Sequence, residues 1–417
     1  MDALVLVGGY ATRLQPLTLR TPKSLVPIAG KPALAHLFER LKEAGAKEVV
    51  ISLNEAQKKV EQCFGDGSSA GLKLTYHYEV HRKEEEKLGA IGAILEAVEE
   101  YGPPKKGLIT GSDNFSYGLH FGELVKLREK NKAAAAIAFY DLANKSLVEQ
   151  YGVAALDAKG RITQFQEKPR VEEAISKLAS TAYYCCSEEF LTAYLPKYVE
   201  AKRKAGEKPD KLGDLFKHHI KELPMYGLPF QGVWGDANTS ETYIELNKLA
   251  MNYVVPQIQS SKHGKALLAG KELVIGKDVE IHEGAVIKGP VILEEGCIVG
   301  RDAVVGPYTH LLHHAEVGAR AMVSGSIVFE HTKIGAGAHL EDCLIDGYST
   351  VGDHARVERY AIVGFETKMG MHTRVFGRSR VWPFMELGEE SVVEGVLKAR
   401  VSKEEEARLE SSLYWKA

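Results

Sequence analysis

At 417 residues, 45% of them apolar and 26% charged, the chain is long enough for two or three domains with sizeable cores. A formal net charge of −3 argues against a nucleic-acid binder held by a basic face. Five cysteines form no CxxC pair, and the adjacent Cys185 and Cys186 do not suit an ordinary structural disulfide, so a reducing, cytoplasmic setting is expected. The apolar run at the start is too short for a signal peptide, Asp2 replaces a basic region, and no run approaches a membrane span, so no membrane partner is expected either.

The first apolar run, Ala3–Val7, has the pattern of a buried parallel strand. Gly8 and Gly9 end it and let the backbone approach a ligand closely, and successive N–H groups in such a turn cradle phosphate oxygens. Arg13 adds a planar charged fork and Lys23 a point charge, while Pro16 and Pro22 stiffen the loop between. The loop therefore reads as a polyphosphate holder, although neither the P-loop pattern nor the dinucleotide fingerprint is present.

A helix is expected over 33–44, with Leu34, Leu37, Phe38 and Leu41 on one face, Pro32 before it and Gly45 as its C-cap. Strands are expected at 48–52, 72–77 and 107–110, and helices at 55–64 and 88–100. Repeated β-α units imply an α/β domain with a doubly wound, mostly parallel, Rossmann-like sheet, which binds ligands outside the carboxyl ends of its strands. Gly8 and Asp113 both follow strands directly and should share that edge. Asp113 is a plausible ligand for a hard metal there, although an Asx-turn or a helix cap is the commoner use of such a residue. Farther on come Tyr151-Gly152-Val153, Gln166-Glu167-Lys168-Pro169 and Val233-Trp234-Gly235-Asp236, after which Thr239 or Ser240 caps a helix expected to end at 252.

From residue 275 the period changes to six. Ile275, Ile281 and Ile287 open a series that runs unbroken to Phe329, slips by one residue to Ile334 and Leu340, slips again to Ile345, and ends at Val393. Small residues often stand four places on, as at Ala285, Ala303 and Ala321, where the chain is expected to turn a corner. A six-residue period fits a parallel β-helix with three short faces per turn. The division expected is 1–252, a linker at 253–274, a β-helix at 275–398, and a capping helix and tail at 399–417.

The stretch from Gly8 to Thr18, with Thr21-Pro22-Lys23, resembles the GGxGTRLxPLT…PK signature of the sugar-1-phosphate nucleotidyltransferases, or NDP-sugar pyrophosphorylases. Five further motifs resemble that family's in order across residues 1–252. They are Leu88-Gly89-Ala90-Ile91-Gly92-Ala93, Ser112-Asp113-Asn114, Tyr151-Gly152-Val153 with Glu167-Lys168-Pro169, Ser180-Thr181-Ala182-Tyr183-Tyr184, and Trp234-Gly235-Asp236. The hexads resemble a left-handed hexapeptide-repeat β-helix, and Arg380-Val381-Trp382-Pro383-Phe384 is similar to the terminal repeats of mannose-1-phosphate guanylyltransferases and their relatives.

The resemblance implies transfer of a nucleotidyl group from a nucleoside triphosphate to a sugar-1-phosphate, with magnesium. It places Gly8, Gly9, Thr12 and Arg13 on the triphosphate, Gly89 near the base, and Asp113 and Asp236 on magnesium, with Asp113 also in the nucleotide site. Lys23 and Lys168 steer the sugar phosphate, and Asn114, Gly152, Glu167 and Thr181 line the sugar. Arg13, Lys23 and Lys168 are thereby the catalytic set. The charged segment 82–87 leaves the base-reading residue upstream of Gly89 unassigned. Ala11, Ser112, Ser180 and Ala182 depart from the family pattern, Ala11 standing where the family has Gly. With the charged set complete, Ala11 is expected at ordinary negative φ with its methyl off the phosphate path.

Two other readings compete. One is a non-catalytic nucleotide-sugar sensor or assembly subunit, which loss of Arg13 or Asp113 would have signalled. The other is a bifunctional enzyme with acyl transfer on the β-helix, for which His310, His313, His314, His331 and His372 are candidates. No long loop interrupts the hexads to build an acyl-CoA site, so those histidines read as side chains on an outward face. The β-helix is expected to serve self-association into a homo-oligomer or support of the catalytic domain.

Overall fold

A computed structural model describes residues 1–9, 11–79, 89–209, 212–259 and 272–415. The segment 82–87 and most of the expected linker lie outside the described residues. The chain falls into two compact units that do not follow sequence order. The first holds Met1–Gly9 and Ala33–Trp234, and the second holds Tyr10–Pro32 and Gly235–Lys416.

The first unit is built on a mixed sheet. Strands β1 (Ala3–Val7), β4 (Glu48–Leu53), β5 (Lys73–Tyr78) and β6 (Leu108–Gly111) run parallel in the order β5-β4-β1-β6. (β2, Pro27–Ile28, and β3, Lys31–Pro32, form a hairpin in the second unit.) Beyond β6 the direction reverses at the antiparallel β11 (Leu178–Cys186). That strand pairs with β8 (Ala135–Asp141) and β9 (Gly152–Leu156), while β10 (Ile162–Glu167) and β12 (Met225–Phe230) flank these. β7 (Asn114–Tyr117) leaves the main sheet and pairs with β13 (Val233–Asp236).

Helices α1 (Ala33–Glu43), α2 (Lys59–Phe64), α3 (Gly89–Tyr101), α4 (Phe121–Lys130), α5 (Leu195–Lys204) and α6 (Leu212–His219) complete the unit. The helix expected over 55–64 is broken into a tight turn at Glu55–Gln57 and the shorter α2. Leu4, Ile91, Ile94, Ile109, Ile137, Phe139 and Phe216 belong to one buried core between sheet and helices. Parallel strands buried on both faces need such continuous apolar runs.

In the second unit α7 (Ser240–Gln259) runs seven residues past its expected end. Thr239 caps it, its hydroxyl oxygen accepting from the Thr242 N–H at 3.2 Å. From Leu273 to Leu397 short parallel strands stack into three ladders, consistent with a left-handed β-helix. Inward residues such as Leu293, Val305, Val317, Val351 and Val363 form its core. The corners fall one residue earlier than the small residues suggest, on a left-handed residue every six positions: Asp302, Tyr308, His314 and Arg320 have φ of 58°, 55°, 58° and 60°. The small residue after each corner then points into the core. Buried hydroxyls at that position donate to the next turn, as Thr309 does to the Val323 carbonyl at 3.1 Å and Ser349 to the Gly364 carbonyl at 3.0 Å, so burial leaves these groups satisfied.

The first slip is misplaced in the sequence reading. Leu311 pairs with Val328, and Val328 is the residue in the core. Gly325, at φ 59°, takes the corner only five residues after Arg320. Phe329 is thus carried outward, where it is buried between Arg20 and Tyr414. Helix α8 (Lys403–Ser411) follows the last turn and opens with a capping box between Ser402 and Glu405.

Candidate active site

In the first unit the parallel register aligns Val7 with Leu53 and Leu6 with Gly111. Gly8, Asn54 and Ser112 therefore leave the sheet at one edge, the carboxyl ends of β1, β4 and β6. Asn54 Nδ2 donates to the Gly8 carbonyl at 3.3 Å and Gln57 Nε2 to the Gly9 carbonyl at 3.1 Å. Glu79 stands beside them, accepting from the Ser52 hydroxyl at 3.0 Å. A Cβ on Gly9 would meet nothing within 4 Å, and one on Gly8 only Glu79 Oε1 at 3.7 Å. Among the described residues packing does not demand these glycines, which leaves their N–H groups room to meet a ligand. The amides and carboxylate of Asn54, Gln57 and Glu79 escaped the sequence reading, because they follow other strands, Asn54 and Gln57 after β4 and Glu79 after β5.

Asp113 lies at the same edge. Its Oδ1 accepts from Asn114 Nδ2 at 2.7 Å, and the buried Tyr183 hydroxyl donates to the Asn114 carbonyl at 3.0 Å. Burial pushes the Tyr183 phenol well up, so it stays a neutral donor. Thr181, expected on the sugar, is fully buried and donates to the Ala138 carbonyl at 2.9 Å, so its hydroxyl serves the sheet.

Glu167 ends β10 opposite Gly152 in β9. A Cβ at Gly152 would come within 3.0 Å of Glu167 Oε2, and one at Gly213 within 2.5 Å. Two glycines thus make room for one carboxylate. Lys168 follows with φ 46°, a left-handed backbone that a lysine rarely adopts; strain of this kind gathers at sites that must aim a side chain. Gly89 opens α3, the first described residue after the break.

In the second unit Thr12 and Arg13 are exposed on a short helical turn. Lys23 is buried, and its Nζ donates to Asn238 Oδ1 at 2.5 Å. Asp236 ends β13 two residues before that asparagine. Ala11 contradicts the expectation of negative φ: it sits at φ 46°, ψ 42°. Its carbonyl accepts from the Leu14 N–H at 3.0 Å and the Thr18 hydroxyl at 2.9 Å, which ties the loop into this form. Ala182, another departure from the family pattern, is left-handed too, at φ 58°.

The β-helix histidines have structural partners. His310 and His313 both bind Glu294, at 2.7 and 2.6 Å, and His313 also binds the Tyr414 carbonyl. His314 stacks on His331, and His372 on His354.

Among the described residues no three His, Cys, Asp or Glu side chains gather as a metal cage. Magnesium that arrives on a triphosphate takes only one or two protein carboxylates and fills its shell with phosphate and water. The side chains of Asp113 and Asp236, each expected on magnesium, are carboxylates, the hard oxygen donors that this ion takes.

A nucleotidyl transferase family model matches residues 2–252, and a GMPPB C-terminal domain model matches residues 287–397. The chain is 28% identical over 349 residues to a UTP–glucose-1-phosphate uridylyltransferase of Synechocystis sp., covering 79% of this chain and 87% of the relative. It is 30% identical over 338 residues to a glucose-1-phosphate thymidylyltransferase of Streptomyces antibioticus, covering 78% and 85%. A crystal structure of a putative glucose-1-phosphate thymidylyltransferase from Bacillus anthracis in complex with a sucrose overlays with a TM-score of 0.51 at 22% identity. That overlay covers 60% of this chain and 95% of the other, a likeness of fold. Among the described residues no helix is long and apolar enough to cross a membrane.

Proposed function

The chain belongs to the nucleotidyl transferase family and is a sugar-1-phosphate nucleotidyltransferase that forms an NDP-sugar; from that premise we propose how its residues divide the work. A phosphate oxygen of the sugar-1-phosphate attacks the α-phosphorus of a nucleoside triphosphate in line. The new P–O bond forms as the bond to the β-phosphate oxygen breaks, and pyrophosphate leaves with that electron pair. The attacking monoester is already largely ionised at neutral pH, so the protein needs no general base. It needs positioning and neutralisation of charge.

In this reading the N–H groups of Gly8, Gly9 and Thr12 hold the triphosphate and Arg13 stabilises the departing pyrophosphate. Lys23 and Lys168 draw in the sugar phosphate. Asn114, Gly152 and Glu167 line the sugar, and Gly89 passes the base. Asp113 and Asp236 hold magnesium, which screens the approach of two anions when bound. The observation that carries the reading is that Gly8 and Gly9, uncrowded among the described residues, leave the sheet at the same edge as Asp113.

The catalytic chemistry is assigned to residues 1–252, with the β-helix at 275–398 in support. Self-association through the β-helix is part of the proposal. Light scattering of the full chain tests it. For the chemistry, Asp113→Asn and Asp236→Asn should each lower turnover by about three orders of magnitude or more with the fold intact. Near-normal magnesium-dependent turnover in either variant removes the metal assignment.

A further inference from the structure

Lys23 rides on a turn, Lys23–Leu25, closed by the Leu25 N–H to the Pro22 carbonyl at 2.8 Å and the Val26 N–H to the Lys23 carbonyl at 3.3 Å. Those two bonds do not fix where the turn stands. Arg20, three residues earlier, is 2% exposed and buried against the β-helix. Its Nη1 and Nη2 fork onto Glu330 Oε1 and Oε2 at 2.6 and 3.1 Å, and its Nε faces Asp346 Oδ1 at 3.2 Å. The guanidinium also lies 4.7 Å from the Phe365 ring centroid and 5.7 Å from that of Phe329.

The β-helix is shaped for this group. A Cβ on Gly347 would come within 2.8 Å of both Arg20 Nη1 and Glu330 Oε1. Glu330, Asp346 and Gly347 each follow one of the two short, five-residue steps of the hexad series, and the first step is the one that turns Phe329 outward. A second anchor reaches the same turn. The Tyr414 hydroxyl donates to the Leu25 carbonyl, its ring packs edge-on against Phe329, and its own carbonyl is bound by His313.

Two carboxylates and one guanidinium taken out of water are a poor source of stability. A bidentate fork on rigid rungs is a good source of fixed geometry. We propose that Arg20 and Tyr414 are positioning residues, through which the β-helix sets the place of Lys23 for the sugar-1-phosphate. The inference rests on the reading of Lys23 as the group that meets that phosphate. It gives the β-helix a part in the reaction without chemistry of its own.

The test uses the full chain and two mild variants, Arg20→Lys, which keeps the charge and loses the fork, and Tyr414→Phe, which removes one hydroxyl. Each should melt within a few degrees of the parent. The KM for the sugar-1-phosphate should rise about tenfold or more while that for the triphosphate moves less than about threefold. Amide exchange at Leu25 and Val26 should quicken about tenfold, with the β-helix core unchanged. Folded variants with an unaltered sugar-1-phosphate KM, or with both KM values raised alike, overturn the proposal. If the parent releases no pyrophosphate, the functional reading fails and the kinetic half falls with it. Unchanged exchange at Leu25 and Val26 in both variants overturns the anchor itself, whatever the reaction.

Discussion

Glu167 stands opposite Gly152 across the β9–β10 pair, and its carboxylate occupies the space that a side chain at residue 152 would fill. A methyl there would also come within 2.9 Å of the Phe165 ring. Gly152→Ala should therefore displace Glu167, lowering kcat/KM for the sugar-1-phosphate by about tenfold or more. Overpacking should cost about 1–2 kcal/mol of stability. Kinetics equal to the parent's would remove Glu167 from the sugar site.

Ala11 and Ala182 share a different property. Both stand in the left-handed region, at φ 46° and 58°. An alanine there carries strain of about 1 kcal/mol, part of which glycine returns to the unfolded chain as entropy. Ala11→Gly and Ala182→Gly should each raise stability by about 0.5 kcal/mol, read from denaturant midpoints. Ala11→Val should lower it. A loss of stability on either change to glycine would contradict the observed backbone.

The His313–Glu294 pair gives a dependence on pH. Its hydrogen bond to Glu294, against the effect of burial, raises His313 from 6.5 to about 9. Burial works against the Glu294 charge, but bonds from His310 and His313 outweigh it and hold that carboxyl at about 2. The raised histidine contributes stability that is complete below about pH 6.5 and lost as the pH climbs through about 9. The lowered carboxylate contributes stability present above about pH 4.5 and lost as the pH falls through about 2. Between pH 6.5 and 9.5 the parent should lose about 1–2 kcal/mol more than His313→Gln, allowing for the partial exposure of the ring. Parallel pH profiles for the two chains would show that the pair is not formed.

Much of the architecture was legible because period reports burial. Short apolar runs between helical stretches gave the α/β sheet, and the six-residue repeat gave the ladders of the β-helix. What failed was local. Val328 and Phe329 are both apolar and one residue apart, so the pattern did not say where the phase slips; the corner glycine Gly325 decided it. The expectation for Ala11 joined the cost of positive φ to a complete charged set, but the bonds to its carbonyl from Leu14 and Thr18 hold the left-handed form against that cost. Arg20 carries no local mark, since its two carboxylate partners lie 310 and more residues away. The two slips in the hexads were the available sign, because each interrupts the ladder beside one of its carboxylates.

Nucleotidyl transfer itself is followed with an α-phosphorus label on the triphosphate. The full chain is given magnesium, each common nucleoside triphosphate in turn and a panel of sugar-1-phosphates. For at least one pair, labelled NDP-sugar and unlabelled pyrophosphate should appear one for one, and neither product without the sugar-1-phosphate. Across the panel, no labelled NDP-sugar, or label released as free nucleotide while the sugar-1-phosphate is untouched, would contradict it.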